Sequence, residues 1–308
     1  MQNAAEISDG RYKLEIAHDY DPISPREWER FGTMVCWHKR YSLGDEHDYK
    51  APEDLYRSLI RGGGIDDGKI IDYVKNGNAE NIKLAYNRSE REWELQVHGD
   101  YTDRWYVERV YDPPLDAESG IVADDILEYM GEEDLRHFAE TAYMIEPLYL
   151  YDHSVQSIST RSFYGRAQHA EWDSGQVGFV FVSYADIKER YGDVSPKSIE
   201  KAYKTIKDEV ENYDYYMRGE CYGFKFYENG EEKDSCWGFL GDFSAAIKAI
   251  AEHLPKDAKH LAENAEYGAC KAAKPQKDLL GRIVKAKEKV QKAPATNKTR
   301  AKLRENLE

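Results

Sequence analysis

Cysteine is scarce in this sequence. Cys36, Cys221, Cys236 and Cys270 are the only four in 308 residues, too few and too scattered for a disulfide scaffold, and no C-x-x-C pair offers zinc-knuckle spacing. Cys221 and Cys236 flank a predicted hairpin, so they either face each other across it or sit as small half-buried hydrophobes, the reading a reducing compartment favours. Long apolar runs are also missing. With a mean hydropathy of −0.80 and no stretch near the roughly 18 apolar residues that a membrane span needs, no membrane association is expected. Met1 to Glu6 show neither a basic nor an apolar signal region, so a cytoplasmic location is expected, that of the host cell if the chain is borne by a mobile element.

Positive charge is in deficit. The chain carries 43 Lys and Arg against 58 Asp and Glu, a formal charge of −15, which disfavours unassisted binding to phosphate backbones and argues against a general nucleic-acid coat protein. The deficit is uneven. Residues 251 to 308 hold 14 Lys and Arg against 8 Asp and Glu, which leaves 29 against 50, or −21, on residues 1 to 250. From Lys271 the chain is rich in Lys and Ala and poor in aromatics, too polar to offset the entropy of ordering. This predicts a basic, partly disordered tail over 257–308 with a short amphipathic helix near Leu279, Leu280, Ile283 and Val284. Such a tail is either a solubilising segment or an arm making weak nucleic-acid contacts.

Signatures of catalysis are absent too. There is no H-E-x-x-H and no G-x-S-x-G. Gly63-Gly64-Ile65-Asp66-Asp67-Gly68-Lys69-Ile70 nearly spells a phosphate loop, but Ile70 stands where a hydroxyl must meet magnesium, and Asp66 and Asp67 would repel phosphate. It also follows a predicted helix rather than a strand, and a flexible connector is the better reading. No repeat of fixed period appears, which argues against a solenoid or propeller.

What is present reads as an α+β protein with mixed or antiparallel sheets and packed amphipathic helices, divided into an N-terminal region 1–143 and a C-terminal region 144–256 before the tail. Strands are expected at Tyr12 to Ala17, Thr33 to His38, Glu92 to Val97, Trp105 to Val110 and Gln176 to Ser183, with a turn at Gly99-Asp100. Helices are expected at Pro52 to Arg61, Ala123 to Met130 and Glu132 to Tyr143. Ser195-Pro196 supplies a cap and first-turn proline. The stripe Ile199, Ala202, Tyr203, Ile206, Val210, Tyr213 and Met217 then carries a helix to Gly219. Asn229-Gly230 turns a hairpin between Cys221 to Tyr227 and Asp234 to Phe239, and Phe243 to Leu254 form a second amphipathic helix.

Two constellations are candidates for function. His and carboxylates crowd strand ends and loops: His38, Asp45, His47, Asp152, His153 and Asp173. If these converge, imidazole nitrogen and carboxylate oxygen would hold a divalent transition metal able to activate water in a hydrolase or nucleotide-processing enzyme. The same residue types also cap loops, and convergence in space decides between the readings. The second constellation is aromatic. Twenty-four tyrosines, six tryptophans and nine phenylalanines on an acidic chain favour a basic protein partner over nucleic acid, whose phosphates the carboxylates repel. Asp208, Glu209, Glu211, Tyr213, Asp214, Tyr215 and Tyr216 exemplify such a docking surface, or else an ordinary solvated helix face.

The strings Asp21-Pro22 through Pro25-Arg26-Glu27-Trp28, Gly32-Thr33-Met34-Val35-Cys36-Trp37-His38, Leu43-Gly44-Asp45-Glu46-His47, Leu148-Tyr149-Leu150-Tyr151-Asp152-His153-Ser154, Trp172-Asp173-Ser174-Gly175-Gln176-Val177-Gly178 and Asp234-Ser235-Cys236-Trp237-Gly238-Phe239 resemble a family of phage- and mobile-element-encoded proteins to which no activity is assigned. The resemblance covers most of residues 12 to 245. It departs at Val155-Gln156, where a glycine is expected in relatives. It implies no catalytic residue and no cofactor, but a mobile-element setting raises the expectation of a protein that blocks host defence by binding. The leading expectation is therefore a non-catalytic inhibitor of a host nucleic-acid-handling or anti-phage defence protein, acting by DNA mimicry.

Overall fold

The computed structural model describes residues 3–99 and 101–267. Asp100 of the expected turn, Cys270 and the expected tail helix lie outside the described residues. In chain order the elements are β1 (Asn3–Ser8), β2 (Tyr12–His18), β3 (Thr33–Cys36), α1 (Pro52–Gly62), α2 (Asp67–Lys75), β4 (Ile82–Asn87), β5 (Glu92–Gly99) and β6 (Arg104–Tyr111). There follow α3 (Ser119–Tyr129), α4 (Glu132–Glu140), β7 (Tyr143–Asp152), β8 (Gln156–Ser159), α5 (Ala170–Asp173) and β9 (Ser174–Ser183). The rest are α6 (Tyr184–Tyr191), α7 (Pro196–Arg218), β10 (Cys221–Glu228), β11 (Glu231–Leu240), α8 (Phe243–His253) and α9 (Lys259–Glu263).

The α+β class is as expected, and the strands form three antiparallel sheets ordered β1-β2-β10-β11, β3-β9-β7-β8 and β4-β5-β6. The central β3-β9-β7-β8 sheet is covered on both faces. Met34, Leu148, Val180 and Val182 pack against Ile187 of α6 and Ala202, Ile206, Val210 and Met217 of α7. Val35, Ile145, Phe179 and Phe181 face the helical layer of α1 to α4, which in turn buries Ile82, Leu84 and Leu95 of the three-stranded sheet. Leu14, Ile16, Phe224 and Phe226 of the third sheet pack under α8 and α9.

Local signals placed several elements. The Ser195 hydroxyl accepts from Ser198 N, Pro196 opens α7, and Gly219 at φ 71° closes it in the left-handed conformation that favours glycine. Asn229 and Gly230, at φ 52° and 86°, give the hairpin turn two positive-φ residues, matching the right-handed twist of the strands. Gly223 is needed for a different reason: a Cβ there would lie 2.1 Å from the Trp237 ring laid across it.

Other expectations are corrected. The strand expected to His38 ends at Cys36, because His38 Nδ1 accepts from the N–H groups of Arg40 and Tyr41 and bends the chain. The helix expected to Tyr143 ends at Glu140, and Tyr143 instead opens β7 by pairing with Ser183 of β9. Cys221 and Cys236 do not oppose each other: Cys221 pairs with Leu240 and Cys236 with Phe224, in a hairpin with two register shifts. Strands from both sides of the expected 143/144 boundary share two sheets, since β2 pairs with β10 and β3 with β9. Sheet ladders need not be local in sequence, and those partners carry no short-range signal.

Candidate functional site

The six His and Asp residues proposed as metal ligands do not gather at one point: His38 and Asp152 share Arg40 and Tyr41, His153 meets Asp173, and Asp45 and His47 have neighbours of their own. Asp45 is an internal counter-ion: its carboxylate takes bonds from Arg26 Nε at 3.0 Å and Nη2 at 2.7 Å and from Met34 N at 2.9 Å, with both charged side chains 6% exposed. His47 Nε2 donates to Cys36 O at 3.0 Å, between the rings of Trp37 and Tyr49. His38 stacks on Tyr41. Asp152 pairs with Arg40 and accepts from Gln156 Nε2 at 2.9 Å. Only His153 and Asp173 of the six meet directly, Nδ1 to Oδ2 at 3.0 Å, with His169 nearby. Among the described residues no three His, Cys, Asp or Glu side chains are grouped to hold a metal ion. The convergence that the hydrolase reading required is not found, because the groups are taken up by other partners: backbone for His38 and His47, arginines for Asp45 and Asp152, and each other for His153 and Asp173.

The acidic stretch on α7 is corrected in the same way. Glu209 clamps backbone, its two oxygens accepting from Phe31 N at 2.6 Å and Gly32 N at 2.9 Å. Tyr213 is buried, and its hydroxyl accepts from Gly44 N at 3.1 Å. Asp214 accepts from Ser157 Oγ at 2.7 Å and Ile158 N at 2.8 Å, which caps the outer edge of β8. Burial holds its carboxyl above the ordinary carboxylate range despite those bonds. Tyr215 reaches Glu211 and lies under Arg218, and Tyr216 stacks on Tyr213. Of the seven, Asp208 and Glu211 are exposed. The same solvent face also carries exposed Lys197, Lys201, Lys204 and Lys207, so it is mixed in sign.

A segment denser in acid lies elsewhere. Between Asp112 and Glu140, through α3 and α4, stand ten carboxylates and one cationic side chain, Arg136, a balance of −9. Asp125 accepts from the Tyr111 hydroxyl at 2.9 Å and Asp134 from the Tyr73 hydroxyl at 2.7 Å. Asp112, Asp116, Glu118, Asp124, Glu128, Glu132 and Glu133 are exposed. Beside them runs β6. Arg109 of that strand reaches Asp125 at 3.4 Å and Glu128 at 3.5 Å on α3. Trp105, Tyr106, Val107 and Val110 of the same strand are 39%, 45%, 51% and 54% exposed. A running charge count would have found this segment in the sequence. The exposure of β6 had no comparable signal, since apolar residues on both faces of a strand also describe one that is fully buried.

No protein family, curated protein or solved structure matches the chain.

Burial pushes the Cys36 and Cys221 thiols up to about 12, which leaves them protonated and unreactive at neutral pH. The glycine-rich segment is a connector only in part: Asp66 accepts from Lys69 N and caps α2, whose first turn takes in Asp67 to Ile70 with Ile70 buried. Among the described residues no helix is long and apolar enough to cross a membrane. The surface formed by α3, α4 and β6 pairs fixed negative charge with accessible apolar area, an arrangement suited to holding a cationic macromolecule.

Proposed function

We propose that this protein acts by binding: its α3 and α4 carboxylates dock on the basic, DNA-facing surface of a host nucleic-acid-handling or anti-phage defence protein and occupy it in place of phosphates. The observation that carries this reading is the ten-to-one excess of carboxylates over cationic side chains across Asp112 to Glu140, with seven of the ten exposed. At contact distance such a surface attracts a cationic groove and repels nucleic acid itself. The resemblance to mobile-element proteins supplies the biological setting. The docking surface is moved from α7, where the fold consumes most of the acidic groups, to α3 and α4, where it leaves them in solvent.

The test is competition. The full chain is immobilised and offered a host extract, and captured proteins are challenged with duplex DNA and with salt. A partner displaced by both, and no longer captured by the Asp124→Lys/Glu128→Lys/Glu132→Lys/Glu133→Lys variant, supports the reading. Capture indifferent to salt, to DNA and to that charge reversal overturns it.

A further inference from the structure

Among the described residues the three sheets end in six edges, and five of the edge strands expose at most one large apolar side chain. Ala4 and Ala5 of β1 are buried with Leu261 and Ala262 of α9. Edge strand β11 carries exposed Glu231, Glu232, Lys233 and Asp234, charges that deter strand pairing. Val35 of β3 is bridged to Gly44, and β8 is capped by Asp214. On β4 the one exposed large apolar side chain is Tyr86. The sixth edge, β6, has β5 as its strand neighbour on one side and exposes four large apolar residues in six positions. An eight-residue edge with so much accessible apolar surface is a template for another strand.

We infer that β6 is a strand-addition site for a cationic, extended segment of the partner. This rests on the binding reading above and specifies how the partner is held. Main-chain bonds to the outer edge of β6 would fix the segment. Its apolar side chains would cover Val107 and Val110, and its Lys and Arg would meet Glu128 on the adjoining α3, an acid 60% exposed and 3.5 Å from Arg109 of β6. Charge selects this occupant over a second copy of the chain, which would bring another −15 against the same acidic surface. Side chains alternate along an added strand, so a segment alternating apolar and basic residues fits the valines on one face and the carboxylates beside the other.

The probe is a fluorescein-labelled octapeptide of alternating Lys and Val, measured by anisotropy against the full chain, with amide hydrogen exchange over 104–111 as the second readout. A counterpart N-methylated at four consecutive central residues keeps the charge but cannot pair along either edge. The expected result is binding of the parent peptide with slowed exchange across 104–111. The methylated peptide and the Val107→Lys/Val110→Lys variant should each weaken that binding at least tenfold. Equal, salt-sensitive binding of both peptides with exchange over 104–111 unchanged would overturn strand addition and leave the acidic docking reading standing. Slowed exchange accompanied by a doubled mass without peptide would identify a second copy as the occupant and overturn the proposal. No salt-sensitive binding of either peptide would count against the docking reading itself.

Discussion

Residues 208–216 and residues 112–140 are both dense in carboxylates, and the fold uses them in opposite ways. On α7, Glu209 and Asp214 accept backbone N–H groups from distant segments, joining Phe31 and Gly32 to the helix and closing the β8 edge. On α3 and α4 most carboxylates project into water, and their contacts are surface pairs such as Arg61 with Asp124 and Arg109 with Glu128, at acids 71% and 60% exposed. A carboxylate that replaces lost backbone hydrogen bonds is part of the framework, whereas an exposed ion pair contributes little to stability and stays available to a partner. Charge density therefore does not locate a docking surface until the hydrogen bonds of each acid are counted.

The sharpest way to break this contrast is to remove an internal acid. Asp45→Ala strands Arg26 at 6% exposure, with Glu209 3.9 Å away as a second acidic neighbour, and is expected to cost about 3 to 5 kcal/mol in denaturant unfolding. Asp214→Ala should cost less, about 1 to 3 kcal/mol, by leaving Ile158 N and Ser157 Oγ without their acceptor. It also carries a pH signature. The folded carboxyl sits above its ordinary 3.8, so the native state takes up this proton before the unfolded chain does. Acidification between the folded value and 3.8 then favours the native state at this site, and that gain should vanish in Asp214→Ala.

Removing exposed acids should do the reverse. Each of Asp124→Lys, Glu128→Lys and Glu133→Lys is expected to shift stability by no more than about 0.5 kcal/mol, while the combined variant loses salt-sensitive partner binding. If single changes on α3 cost as much as Asp214→Ala, those carboxylates belong to the framework and the contrast collapses.

What was legible in the sequence was local. The cap Ser195-Pro196 and the stop at Gly219 delimit α7, and Asn229-Gly230 marks the hairpin, because each depends on neighbours within a few residues. The pairing of β3 with β9 and of β2 with β10 was not legible, since ladders between segments more than a hundred residues apart leave no local trace. The spacing of Leu135, Phe138 and Ala139 predicts a helix through Tyr143, yet strand pairing with Ser183 overrides that periodicity. Tyr213 was readable from periodicity: it shares the stripe of Ile206, Val210 and Met217, which places it in the core and not on a docking face. The His and Asp clusters misled because a residue that caps a loop and one that ligates a metal have the same identity and differ only in where their partners lie.

A third kind of acid, exposed yet employed, gives the smallest effect and refines the contrast. Asp193 precedes α7 and accepts from Ser198 Oγ at 2.6 Å and Ser195 N at 3.0 Å. The Ser198 bond above all, then those from Ser195, holds its carboxyl down to about 2 from an ordinary 3.8. Because the folded value lies below the unfolded one, the stabilisation is fully present above 3.8 and is lost as pH falls from 3.8 through about 2. Melting temperatures compared between wild type and Asp193→Ala should thus differ at pH 5 and converge toward pH 2, and carbon NMR of the Asp193 carboxyl should give a midpoint well below 3.8. A midpoint at the ordinary value would mean that the bonds from Ser198 and Ser195 to Asp193 are not formed in solution, and that an acid's hydrogen bonds at the surface do not mark it as part of the framework.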